Sequence, residues 1–402
     1  MNARRLRQRC GGLERAIRVL ALVSVSALVT AAAGAGCMDT STAECSWGIV
    51  CPPSKACSEA RLACVPRSQY EPCEGRPDLS ACTYPGASGL QQCVQDLCEP
   101  GSSWVTTDTG SSYAVSQLWG SSETDVFAAS PDGIRHFDGQ AWSSMVLDAT
   151  NLLYTNVWGT APDDVFAVGE WNDAAAVDIF HYDGSAWSRM ATLDGVWNVT
   201  RFWGSSSTDV YAACNCNDDY FDCSGLYRYD GASWSAVELG DDYDLKGIWG
   251  SSATDIYAIG PDRRVLHYDG LSWQVHVITT YTVSFSAIAG RSASDVYVLG
   301  NNSEFTHLYH FDGSEWSLIF ADDITPPSVS FGSSLDVFWT APGQDVFIGG
   351  ESTFMARYFN GAFWPMSVSD TVIRIRAIWG DGVSLFAGGD SGIVFRFTEP
   401  TL

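Results

Sequence analysis

The chain has 402 residues, a formal net charge of −25 at pH 7 and an aromatic content of 13% that includes 16 tryptophans. A surface this acidic repels phosphate backbones, which excludes nucleic acid as a partner class. The 13 cysteines place it among chains that fold where disulfides persist.

Residues 1–18 carry six arginines and one glutamate, and Val19–Ala33 has no charge. This is the pattern of a secretory signal, predicted over residues 1–36, and the apolar run is too short and too rich in Ala and Ser for a permanent span. Gly34-Ala35-Gly36-Cys37 resembles the bacterial lipobox, in which the cysteine is lipidated and becomes the new N-terminus. The resemblance implies a multi-acyl anchor on Cys37 as the only membrane contact, on the cell surface or outer membrane; simple cleavage and secretion is the alternative. Removing residues 1–36 takes away six positive charges and one negative, which lowers −25 to −30.

Residues 37–44 read as a tether. Residues 45–100 then hold Cys45, Cys51, Cys57, Cys64, Cys73, Cys82, Cys93 and Cys98 among Pro, Ser, Gly and charged residues. In an exported chain an even set of this kind predicts a disulfide module whose pairing the spacing leaves open. A zinc site competes poorly, because the segment has no histidine and no paired Cys-x-x-Cys knuckles.

From residue 101 onward one unit recurs. Its clearest copy, Ile248–Trp273, alternates short β-branched and aromatic runs with Ser-Ser, Gly-Pro-Asp and Asp-Gly turns, the signature of a four-stranded meander. The Trp-Gly step returns at Trp119, Trp158, Trp203, Trp249 and Trp379, with Ala289-Gly290 and Trp339-Thr340 as degenerate versions. An Asp-Val or Asp-Ile step follows at Asp125, Asp164, Asp209, Asp255, Asp295 and Asp345, and an aromatic-Asp-Gly-x-x-Trp step closes most copies. A meander cannot bury both faces alone, so repetition at about forty residues predicts a β-propeller, here with seven blades. The seventh copy ends without its outer strand, and Pro100–Val105 resembles that strand, so an N-terminal strand is expected to close the ring. The repeated tryptophans are read as core between blades, the repeated aspartates as caps on backbone amides, and the histidines of the third strands as repeat filler.

The turns joining first to second and third to fourth strands hardly vary, whereas second-to-third turns and blade crossings vary widely. Loops that differ on a constant scaffold are where binding residues gather. The candidates are Trp171 in blade two and Asn217, Asp218, Asp219, Tyr220 and Asp222 in blade three, with Trp197 and Tyr281 as further off-repeat aromatics. The same blade-three loop carries Cys214, Cys216 and Cys223, read as a hairpin stapled by Cys223 with either Cys216 or Cys214. Its carboxylates offer hard oxygen ligands for calcium, but without the spacing of an EF-hand loop, so no cofactor is assigned and the metal is left unknown.

The Trp-Gly, Asp-Val and Tyr-Asp-Gly-x-x-Trp steps resemble kelch and Asp-box propellers, and the layout looks like that of myxobacterial surface lipoproteins. That resemblance implies an exported binding module for a protein or carbohydrate. The alternative is a glycan hydrolase or lyase with carboxylates at the channel mouth; the residue sets of sialidases and galactose oxidase have no counterpart here. Oligomeric state is not legible.

Overall fold

The computed structural model describes residues 43–45, 50–51, 55–58, 63–70, 91–94, 97–100 and, from 104 to 398, all but 146, 148–150, 173, 217–223, 241–243, 261–262, 303–304, 322–334, 341–345, 351–353, 360–361, 369–372 and 383. The signal, Cys37 and most of the tether therefore lie outside the described residues. The chain divides into two units, Met1–Gly101 and Ser102–Leu402.

In the first unit, short antiparallel ladders pair Ala43–Glu44 with Val50–Cys51, Lys55–Ser58 with Ala63–Pro66, and Gln91–Val94 with Leu97–Pro100. Its buried apolar cluster is small: Ala56 and Val65, with Tyr70 packed against them. Covalent bridging compensates. Cys45 and Cys57 form a disulfide with S–S 2.13 Å, and Cys51 is also disulfide-bonded, its Sγ 3.3 Å from that of Cys45 and 3.8 Å from that of Cys57. Sulfurs held in disulfides are not thiolate ligands, so this three-cysteine cluster is a packed disulfide centre rather than a zinc site.

The second unit is a seven-bladed β-propeller, each blade a four-stranded antiparallel sheet. Blade four shows why this sequence folds so. Its strands are Gly247–Ser252, Asp255–Ile259, Arg264–Tyr268 and Trp273–Val277. The second strand is sandwiched between neighbouring blades, and Ile256, Tyr257, Ala258 and Ile259 are all buried, which is why it reads as a continuous apolar run instead of an alternating one. Among the described residues, seven apolar clusters fill the seams. The one between blades two and three, for example, joins Phe166, Val168 and Ile179 to Val199, Phe202 and Val210.

The ring closes as the sequence predicts: Trp104–Asp108 pairs antiparallel with Ile393–Thr398 as the outer strand of blade seven. The closure has a second lock. Blade seven has Ser384 where other blades have the repeated aspartate, and Glu123 from the first turn of blade one fills the gap, accepting from Ser384 Oγ at 2.7 Å and Arg396 Nη2 at 2.5 Å. Those two bonds hold the Glu123 carboxyl below its usual range.

Around the channel, each first-strand tryptophan lies against the glycine one step along in the next blade. A Cβ added at Gly159 would lie 2.8 Å from Trp119, at Gly204 2.7 Å from Trp158, at Gly250 2.6 Å from Trp203, and at Gly120 2.8 Å from Trp379. The two degenerate copies now make sense together. Blade five has Ala289 in place of tryptophan, and the next blade has Thr340 in place of glycine, so the lost ring faces the one first-strand position that carries a side chain.

Candidate binding face

Antiparallel meanders put the two invariant turns of every blade at one end and the second-to-third turns with the blade crossings at the other. The invariant end is built from two kinds of aspartate. In the Asp-Gly turns the carboxylate caps amides: Asp269 Oδ1 accepts from the N–H groups of Leu271 and Ser272, both at 2.9 Å. Gly270 takes φ +87°, and a Cβ there would lie 2.9 Å from Cβ of Thr254 in the other invariant turn. Equivalent caps hold Asp183 and Asp312 down to about 2, with the Ser185 hydroxyl the largest cause for Asp183 and the Glu315 amide for Asp312.

The Asp-Val set does something different from the capping expected of it. A β-bulge after the Trp-Gly step turns Ser121, Ser205 and Ser251 onto Asp125, Asp209 and Asp255, each at 2.5 Å, and Thr160 likewise onto Asp164. The other oxygen meets a third-strand histidine Nε2: His136 at 2.6 Å, His181 at 2.8 Å, His267 at 2.7 Å and His310 at 2.8 Å. In blade three Arg228 substitutes, its Nε 2.7 Å from Asp209. The histidines are thus structural links packed against second-strand aromatics, tilted in blades one and two and stacked in blades four and five, as His267 is on Tyr257 at 4.2 Å between centroids. The serine bonds the aspartate and not the histidine, so this set has no activated nucleophile. Sequence reading missed these links because a variable loop separates aspartate from histidine along the chain.

Among the described residues the exposed large aromatic side chains lie at the crossing end, whereas Leu271 sits exposed in an invariant turn and Val105, Val275 and Val277 on outer strands. Trp197 is 52% exposed, Tyr113 55%, Tyr281 44% and Leu153 38%, and all four lie on blade crossings or the first residues of inner strands. Tyr281 packs against His307 with the two rings tilted, their centroids 5.3 Å apart. Trp171 ends the second strand of blade two, opposite Leu152, and packs partly into the seam with blade one. Below the rim, a second β-bulge lies three residues before the Trp-Gly position in blades two, three, five, six and seven, and its residues include Thr155, Thr200 and Ser286. Thr155 donates to Glu170 Oε1 at 2.8 Å; burial pushes the Glu170 carboxyl up against that bond.

Of the predicted loop residues, Asn217, Asp218, Asp219, Tyr220, Asp222 and Cys223 lie outside the described residues. Cys216 is disulfide-bonded, whereas Cys214 is a free, fully buried thiol whose pKa burial pushes up. In the module, Cys57 opposes Cys64 and Cys93 opposes Cys98 in backbone register; Cys73 and Cys82 lie outside the described residues.

These features define a seven-bladed propeller with one invariant end and one variable end. Among solved structures, it is similar to YCF48 bound to D1 peptide, with TM-score 0.55 and 15% identity over 74% of this chain and 95% of that one. It is similar also to the WD40 propeller domain of Doa1, with TM-score 0.57 and 13% identity over 75% and 98%. A third is virginiamycin B lyase from Staphylococcus aureus, with TM-score 0.58 and 10% identity over 74% and 100%. Identities this low establish the fold alone. No protein-family model matches the chain, and no curated protein is significantly similar to it.

Proposed function

We propose that this propeller is a non-enzymatic interaction module that binds a peptide or protein segment on its crossing end, carried on an exported and lipid-anchored chain. The observation that carries the reading is the asymmetry of the two ends. One is closed by repeated caps and Asp–His links, and the other presents Trp197, Tyr113, Tyr281 and Leu153 to solvent. Aromatic side chains at a variable rim supply contact area at small entropic cost. One similar structure was determined with a peptide bound, in keeping with this class of ligand.

We read the repeat as kelch- and Asp-box-like on the strength of its Trp-Gly, Asp-Val and Asp-Gly-x-x-Trp steps, and Cys37 as the lipidated residue on the strength of the preceding Gly-Ala-Gly. Calcium in the 217–222 loop stays a proposal on its oxygen ligands. The glycan-enzyme alternative gains nothing from the repeat, whose carboxylates are engaged in caps and links.

The test is a peptide array probed with the full chain and with two variants. Trp197→Ala with Tyr281→Ala is expected to abolish saturable binding while leaving melting unchanged, and Leu271→Ala, which removes an exposed side chain from the invariant end, is expected to leave binding intact. Equal loss in both would sink the assignment.

A further inference from the structure

The last strand of a sheet leaves a row of N–H and C=O groups unpaired, and proteins blunt such edges by shortness, charge, proline or bulges. Six of the seven outer strands of this propeller use one of these devices. In blades one and three they run for only three residues, Trp142–Ser144 and Trp234–Ala236. In blade two, Trp187–Asp194 carries Arg189 and Asp194 and bulges at Met190, and in blade five Trp316–Ala321 bulges at Ile319. Blade six has Pro365 within Ala362–Ser367, and blade seven's Trp104–Asp108 ends on a charge at Asp108.

The outer strand of blade four, Trp273–Val277, has none of them. Its sequence, Trp-Gln-Val-His-Val, holds no proline and no formal charge, it pairs with Arg264–Tyr268 without a register shift, and among the described residues no further strand lies beyond it. Alternation puts Trp273, Val275 and Val277 on one face. Trp273 packs in the seam with blade three, whereas Val275 and Val277 are 46% and 64% exposed. Blade three's own outer strand, with Trp234 level with Trp273, stops at Ala236, so Val277 lies beyond its reach.

The charge around this strand is as unusual as its exposure. The chain carries −25, yet Gly270–Gly290 contains no Asp, Glu, Lys or Arg, the longest such stretch of the propeller. Arg264 opposite Val277 and Asp269 in the hairpin turn flank the strand with one charge of each sign. A partner of opposite charge would be drawn to the acidic surface elsewhere. A neutral edge suits a partner of like charge, because like charges across an interface repel. A second copy of this chain is such a partner.

We propose that the outer strand of blade four pairs antiparallel with the same strand of a second copy, joining two four-stranded blades into one continuous sheet across a two-fold axis. Each strand then satisfies the other's N–H and C=O groups. An axis normal to the sheet sets the valines of both copies on one face, where β-branched cross-strand neighbours stabilise each other. Identical edges consume each other, so the assembly stops at two. An edge of 5 residues is a small interface, which implies weak association, with a dissociation constant on the order of micromolar or above. The contact is radial and uses neither end of the propeller, so it holds or fails independently of the binding face.

Sedimentation velocity of the full chain over a micromolar concentration series tests the pairing. Monomer is expected to pass to dimer with no larger species, and added salt is expected to strengthen the dimer by screening two acidic copies from each other. Val277→Lys puts a like charge on both edges and is expected to weaken association by about tenfold or more. Val105→Lys, at the comparably exposed valine of blade seven, is expected to leave it unchanged. Both variants should melt with the parent in dilute solution, because neither side chain belongs to the core. A parent that stays monomeric, species that grow beyond the dimer, a dimer that salt dissociates, or one that Val277→Lys leaves intact would each overturn the proposal. Capture of an apolar peptide by a monomeric parent, lost in Val277→Lys, would assign the edge to a foreign strand and overturn it equally.

Discussion

Substituting Gly250 by alanine puts the ring contact between blades three and four under direct strain. The new Cβ would lie 2.6 Å from Trp203 Cζ2, 2.7 Å from Cη2 and 2.9 Å from the carbonyl oxygen of Asp255. Carbon atoms prefer about 3.5–4.0 Å, so the indole must retreat by roughly an ångström inside a packed ring. Overpacking of this kind costs about 1–3 kcal/mol, partly offset by the roughly 0.5–1 kcal/mol that alanine gains over glycine in a strand. The expected net loss is about 1–2 kcal/mol. Trp203→Ala alone is expected to cost about 3–5 kcal/mol. In the double variant the clash with the ring is gone, so the two losses should fall short of additivity by about 1 kcal/mol, within the range measured for touching residues. Blades five and six already carry that arrangement as Ala289 and Thr340. Gly260→Ala is the control, because its Cβ would meet only the Asp244 carbonyl at an ordinary 3.4 Å. Equilibrium urea unfolding of the four variants reads the result. A Gly250→Ala loss no larger than that of Gly260→Ala, or strict additivity in the double variant, would refute the ring account.

The Asp183 carboxyl, lowered from 3.8 to about 2, contributes stability that is present above its unfolded pKa and is lost as pH falls through the folded one. Asp183→Asn should therefore flatten the stability profile between those two values, and an unchanged acid limb would count against the cap. Glu170 has the opposite sign: burial raises its pKa above the usual carboxylate range, so its ionised form costs stability at neutral pH and not at acid pH. Glu170→Gln should stabilise the protein at pH 7 and lose that gain at acid pH, as measured by urea unfolding at both values. Cys214 should resist a thiol reagent in the native protein and react on unfolding, with peptide mapping to assign it; rapid native labelling would contradict its burial.

The blade count, the closing strand and the capping role of the Asp-Gly turns were legible because each depends on local chemistry repeated at a fixed period. What was not legible depends on contact between copies. Ala289-Gly290 and Trp339-Thr340 look like two unrelated lapses along the chain, and only the tryptophan-to-glycine contact across a seam makes them complementary. The Asp–His links were hidden for the same reason, since the loop between second and third strands changes the Asp-to-His spacing from copy to copy. Glu123 could not be assigned from its own turn, because its partners Ser384 and Arg396 lie at the opposite end of the domain's sequence.

Hydrogen exchange of the full chain with and without its best array-selected peptide tests the central claim most directly. The account predicts slowed exchange at Val196–Thr200 and around Tyr281, at the crossing end, with the Asp-Gly turns unchanged. Slowing confined to turns such as Asp138–Trp142 or Asp269–Trp273 would place the ligand on the end assigned here to structure alone and contradict the account.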